Sequence, residues 1–116
     1  MSAFDDPEQE IAPQRLAELL HDEGWQVIDV REPREREAGH LAGTRHVELT
    51  QLTAQAESID RERPVVFYCR VGSRSTMATQ AFRAAGYEAY NLTGGIVNWV
   101  AAGLPLEPED GYVAEH

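Results

Sequence analysis

The chain contains no lysine, so all ten of its basic residues are arginine, and they face twenty acidic residues for a formal net charge of -10. So large an excess of acid argues against nucleic acid or an anionic membrane as a partner. It is read instead as a solvated acidic surface. No apolar run approaches the ~20 residues a membrane-spanning helix needs. The opening stretch, "MSAFDDPEQE", has neither a basic nor an apolar region of the kind a secretory signal carries. The expected compartment is therefore the cytoplasm. There is one cysteine, Cys69, which excludes an internal disulfide and a cysteine-rich metal cluster within the chain.

What is present is an ordinary globular composition, 42% hydrophobic and 26% charged over 116 residues, which suits one domain. Residues 1–9 and 107–116 are acidic and contain proline or glycine, so both are expected to be flexible ends around a folded unit at 10–106. Within that unit helical and strand signals alternate. "APQRLAELLHDEG" places Pro13 near a helix start, Leu16, Leu19 and Leu20 on one face, and Gly24 past the end. "WQVIDV" and "PVVFYC" read as buried strands. "EPREREAGH" and "LTQLTAQAES" read as short helices. "SRSTMATQAFRAAGY" predicts a helix with Met77, Ala78, Ala81, Phe82 and Ala85 at helical spacing. "EAYNL" is a further strand and "GGIVNWVAAG" a last helix. This alternation implies a mostly parallel α/β sheet covered on both faces, with ligands at the carboxyl ends of its strands.

Cys69 falls at one of those ends. In "CRVGSRS" a strand stops, a tight loop follows, and a helix is predicted to begin near Ser75. Backbone N–H groups of such a loop and of the first helical turn lack intrahelical acceptors and can converge on one centre. Gly72 permits the necessary curvature. Arg70 and Arg74 add positive charge, Ser73 and Ser75 add hydroxyl donors, and Val71 completes the loop. Surroundings of this kind favour a thiolate and hold an anionic substrate or intermediate. The bland alternative is a buried structural cysteine. The density of glycine, arginine and serine beside Cys69 favours a nucleophile. Two chemistries suit it, sulfur transfer and phosphate-ester hydrolysis. Phosphatase loops are Cys-x5-Arg, whereas this chain reads Cys-x4-Arg, a tighter cradle suited to one sulfur atom.

Three motifs in order give the sequence a resemblance to the rhodanese family, over roughly residues 10–106. "CRVGSRS" resembles that family's CRxGxRS loop. "DVREPREREAGHLAGTRHV" resembles its DVR-x-x-x-E-x-x-x-GHI-x-GA motif, with Asp29, Arg31, Glu35, Gly39, His40 and Gly43 in register. "LTGGIVNWVAAGLPL" resembles the closing GG-x-x-x-W-x-x-AGLP motif through Gly94, Gly95, Trp99, Gly103 and Pro105. Arg36 departs from the family's Phe or Tyr and would leave an apolar contact unfilled; Glu48 departs from a common proline.

The resemblance implies a three-layer α/β/α fold on a five-stranded parallel sheet. It implies a thiosulfate sulfurtransferase that uses a Cys69 persulfide, with a small anionic donor such as thiosulfate. The acceptor is cyanide in vitro and a thiol or protein in cells, and no cofactor is needed. The alternatives are a cysteine phosphatase or arsenate reductase on the same fold, and a non-catalytic persulfide carrier.

Asp29, Arg31 and His40 are candidate supports of the site. Asp29 is expected to hold neighbouring loops, Arg31 to pair with Glu35 four residues on, and His40 to fix its turn by a hydrogen bond. The other histidines show no ligand spacing, and no metal site is expected. Trp25 is expected in the core, Trp99 in the core or a pocket wall, and Tyr68 on either face of the sheet.

Overall fold

A computed structural model describes residues 7–116. Residues 1–6 of the expected flexible start lie outside the described residues, and Pro7–Gln9 form one 3₁₀ turn. Five strands follow in chain order: β1 (Glu10–Ile11), β2 (Gln26–Asp29), β3 (Arg45–His46), β4 (Val65–Tyr68) and β5 (Ala89–Leu92). They form one sheet in the order β1-β5-β4-β2-β3, and every pairing is parallel. The helices between them are α1 (Pro13–Leu19), α2 (Pro33–Ala38), α3 (Leu52–Gln55) and α4 (Ser73–Ala84), and α5 (Gly95–Ala101) follows β5.

The central strand explains the layering. All four residues of β4 are buried, as a strand covered on both faces requires. With side chains alternating across a strand, Val65, Phe67 and Cys69 share one core with Leu52 of α3 and Ala78 and Phe82 of α4. Val66 and Tyr68 share the opposite core with Leu16 and Leu19 of α1 and Ile96 and Trp99 of α5. The parity of β4 thus aims Tyr68 away from α4 and Cys69 towards it.

Several local expectations change. Helix α4 begins at Ser73, the first residue of the stretch read as helical. Its buried face is Ser75, Thr76, Ala78, Thr79 and Phe82. Ala81 and Ala85 are exposed, and Met77 is 51% exposed. The stretch at 49–58 is one short α-turn between two 3₁₀ turns rather than a single helix. Trp25 is only half-buried and packs beside Tyr90 with ring centroids 5.5 Å apart. Residues 107–116, expected as a loose end, lie along α2. The backbones of Glu107 and His40 exchange two hydrogen bonds (3.0 and 2.8 Å), and Tyr112 N donates to Ala38 O at 2.9 Å. No helix among the described residues is long and apolar enough to cross a membrane.

Candidate active site

The loop after β4 wraps around the Cys69 sulfur. Gly72 N–H donates to Sγ at 3.1 Å, Ser75 N–H at 3.4 Å, and Ser75 Oγ stands 3.3 Å away. The geometry follows from the helix beginning there. Ser75 is the third residue of α4, so its N–H is one of those that a helix leaves without an internal acceptor. No side chain caps α4 in the usual way; the cysteine sulfur takes that place. The helix N-terminus therefore points its partial positive charge at Sγ. Gly72 turns the loop with φ +108°, a left-handed conformation that a side chain would strain.

A second pair of glycines closes the loop from the other side. Gly94 and Gly95 both have positive φ and lead into α5, whose Ile96 and Val97 N–H groups donate to the Cys69 and Arg70 carbonyls at 2.9 and 3.1 Å. A Cβ at Gly95 would stand 2.7 Å from the Cys69 carbonyl and collide with Arg70 as well. Cys69 itself is 0% exposed. It belongs to the core by packing, but a cysteine present only for packing has no need of converging donors.

Arg70 and Arg74, both expected to favour an anion, have unlike surroundings. Arg74 makes a bidentate ion pair with Glu35 of α2, Nη1 to Oε1 at 2.8 Å and Nη2 to Oε2 at 2.9 Å. Burial pushes the Glu35 carboxyl up, but the Arg74 hydrogen bonds and the Glu32 N–H outweigh it, and the group is held below its ordinary value. The same bonds raise Arg74 against the opposing pull of burial. Arg70 is half-buried, and its buried Nε has no hydrogen-bond partner among the described residues.

Asp29 and Arg31 pair with each other, not Arg31 with Glu35 as spacing suggested. Arg31 Nε and Nη2 donate to the two Asp29 oxygens at 2.9 and 2.8 Å, and Nη2 also donates to the Gly39 carbonyl at 2.8 Å. Both side chains are fully buried. Arg31 lies 5.6 Å from the Tyr68 ring centre, whose hydroxyl accepts from Leu41 N–H at 3.2 Å. Arg36 fills its departure from the family pattern with polar bonds, to Thr44 Oγ1 at 2.9 Å and Thr44 O at 2.5 Å. His40 Nδ1 is 3.1 Å from the Arg36 carbonyl, a bond that fixes the end of α2. Glu48 starts the 3₁₀ turn after β3. The side-chain hydrogen bonds of Asp29, Arg31 and His40 go to one another and to the backbone of α2 and the turn that follows it. At the C-terminus His116 pairs with Glu32 at 3.2 Å. Glu32, Glu35 and His116 gather within 4.8 Å, but Arg74 occupies both Glu35 oxygens. Trp99 is buried, donates from Nε1 to Pro105 O at 2.8 Å, and lines an apolar cavity of about 320 Å³ with Ala17, Leu20 and Leu104.

Two residues at the loop escaped the sequence reading. Asn91 of β5 accepts from Ser75 Oγ at 2.5 Å, and Glu10 of β1 accepts from Asn91. The one sequence signal was an asparagine inside a strand, where that residue type is depleted.

Comparison with known proteins agrees with this architecture. A structure of a rhodanese-related protein from Thermoplasma volcanium superposes with a TM-score of 0.78 at 26% identity, covering 84% of this chain and 96% of that one. An uncharacterized Bacillus subtilis protein, YqhL, is 40% identical over 94 residues, 74% of this chain and 75% of its own. Thiosulfate sulfurtransferase GlpE of Pseudomonas aeruginosa is 34% identical over 92 residues, 78% of this chain and 83% of its own. Sulfurtransferases are thus among its relatives. The family model described as Rhodanese-like domain matches residues 12–102, and with the parallel five-stranded sheet and the cysteine loop in their places the chain belongs to the rhodanese-like domain family.

Proposed function

We propose that the protein is a thiosulfate-type sulfurtransferase that acts in the cytoplasm and carries sulfane sulfur on Cys69. The observation that carries this reading is the convergence of Gly72 N–H and Ser75 N–H on Sγ, with Ser75 Oγ 3.3 Å away. Such donors stabilise an anion where it forms. The Cys69 thiolate attacks the outer sulfur of thiosulfate; the new S–S bond forms as the old one breaks, and sulfite leaves with its electron pair. The persulfide that remains carries its negative charge on the outer sulfur, one S–S bond beyond Sγ, at the mouth of the same loop. A nucleophilic acceptor (cyanide in vitro, a thiol or protein thiol in cells) then takes the outer sulfur and regenerates the thiolate.

The loop 70–75 forms the cradle for the donor and the intermediate. Arg70 supplies the cation for the approaching dianion, because its buried Nε is unpartnered. Arg74 acts through loop shape, since Glu35 already engages it. Asp29, Arg31 and His40 hold the surrounding turns.

Thiocyanate formation from thiosulfate and cyanide tests the assignment. It is expected in the wild type and absent in Cys69→Ser, with the fold retained by circular dichroism. Turnover that survives Cys69→Ser would overturn it. Hydrolysis of a phosphate ester in place of sulfur transfer would favour the phosphatase reading, and exchange only with a protein persulfide would favour a carrier.

A further inference from the structure

The Ser75 hydroxyl has one hydrogen and three acceptors within reach: Asn91 Oδ1 at 2.5 Å, Cys69 Sγ at 3.3 Å and Gly72 O at 3.3 Å. An alcohol donates a single hydrogen, so these acceptors compete for it. Asn91 is 3% exposed within β5. Its Nδ2 stands 3.1 and 3.2 Å from the two carboxylate oxygens of Glu10, the residue in register with it on β1. A carboxylate only accepts, so the amide must present its NH2 to Glu10 and its carbonyl to Ser75. The flipped amide would set oxygen against oxygen. Thr93 Oγ1 donates to the same carboxylate at 3.0 Å and steadies it. Glu10, Asn91 and Ser75 thus form one line from an edge strand to the sulfur. Its outer end opens on a cavity of about 290 Å³ lined by Glu10, Gly72, Thr76, Asn91 and Gly94.

We infer that Glu10 and Asn91 are positioning residues for Cys69, acting through the Ser75 hydroxyl; this deepens, and rests on, the reading of Cys69 as the sulfur carrier. While the sulfur is a neutral thiol, the hydroxyl hydrogen stays on Asn91 Oδ1 and the S–H faces the Ser75 lone pair. When the sulfur becomes a thiolate, the hydroxyl turns to it and Asn91 loses its bond. The Asn91 carbonyl therefore competes with the anionic sulfur for one hydrogen. Glu10 maintains that competition by preventing the amide from turning. The charged groups around Cys69 are Arg70 on its loop, Arg74 of α4 with Glu35 of α2, the Asp29–Arg31 pair after β2, and Glu10 of β1. Asn91→Ala removes none of these charges; it frees Glu10 of the amide, while Thr93 Oγ1 still donates to the carboxylate.

The test is the pH profile of Cys69 alkylation by iodoacetamide in the full chain, with thermal unfolding recorded for each variant. Asn91→Ala should move the profile to lower pH, with several-fold faster alkylation on its acidic limb, because the freed hydroxyl serves the sulfur alone. Ser75→Ala should move it to higher pH. The double variant should follow Ser75→Ala, since the asparagine acts only through that hydroxyl. Glu10→Asp keeps the charge but shortens the reach to the amide. It sits on the edge strand, should shift the profile in the direction of Asn91→Ala, and carries the test if Asn91→Ala does not fold. An unmoved or upward-shifted profile in Asn91→Ala, or a downward shift that persists without the Ser75 hydroxyl, overturns the inference. Alkylation needs no sulfur donor, so this result stands apart from whether Cys69 forms a persulfide.

Discussion

Arg70 on the loop and Arg74 in the first turn of α4 lie four positions apart and carry the same charge, but their surroundings make them unequal. Both Glu35 oxygens hold Arg74, whose side chain is 15% exposed, against a carboxylate that is fully buried. Removing one partner of a buried pair leaves the other charge uncompensated and destabilises by about 3–5 kcal/mol. Arg74→Ala should therefore lower the thermal midpoint markedly and lose activity with stability. Arg70→Ala should change stability by no more than about 1 kcal/mol, while kcat/KM for thiosulfate falls about 10- to 100-fold, the equivalent of one charge-assisted hydrogen bond. Melting curves and kinetics on the two variants check the split. Equal losses of stability in both would show that the Glu35 pairing does not matter as described.

At the scale of elements, the sulfur loop depends on how closely α5 approaches β4. Gly95 has φ +67° and sits against the carbonyls of Cys69 and Arg70. Gly103 has φ +80° but nothing within 4 Å of where a Cβ would be. Gly103→Ala should cost only the backbone strain, about 1–3 kcal/mol. Gly95→Ala should cost more and also disable sulfur transfer, because the loop backbone must move. Chemical denaturation and turnover of the two variants distinguish a steric requirement from a merely conformational one.

The same scale shows what the sequence could disclose. Strands β2 and β4 were legible from their apolar, β-branched runs, and β5 as the short segment "EAYNL" between two helical stretches. Strands β1 and β3 have two residues each, too few to show an alternation, and came only with the family resemblance. The buried face of α4 was misjudged because apolar periodicity pointed to Met77, Ala81 and Ala85. The residues it buries beside the site are partly polar and satisfied at short range: Thr76 Oγ1 to Gly72 O at 2.6 Å and Thr79 Oγ1 to Ser75 O at 2.8 Å. Cys69 and its loop were legible because residue types and helix start coincide within seven positions. The pairings Asp29–Arg31, Glu35–Arg74 and Glu10–Asn91 were not. Which acid meets which base depends on strand order, and nearest helical spacing gave a wrong partner for Arg31.

For the molecule as a whole, buried ion pairs tie the loops at the carboxyl end of the sheet together, and the Glu35–Arg74 pair should make the fold sensitive to acid. Glu35 has its carboxyl held below the ordinary value of 4.5 in the folded chain. A depressed carboxyl contributes stability that is fully present above its unfolded value and is lost as pH falls through the folded one. Denaturation at fixed pH should show wild-type stability declining from roughly pH 4.5 downward. Glu35→Gln should be less stable at neutral pH and lose less on acidification. Parallel curves for the two proteins would mean that the Glu35 pair contributes nothing to the acid transition.

The central claim, that Cys69 is placed at the loop to carry sulfur, is tested most directly by the intact mass of the purified chain before and after thiosulfate, with cyanide added last. The account predicts a gain of one sulfur atom, absent from Cys69→Ser, and its removal by cyanide as thiocyanate appears. An unchanged wild-type mass under conditions where Cys69 still reacts with iodoacetamide would contradict it.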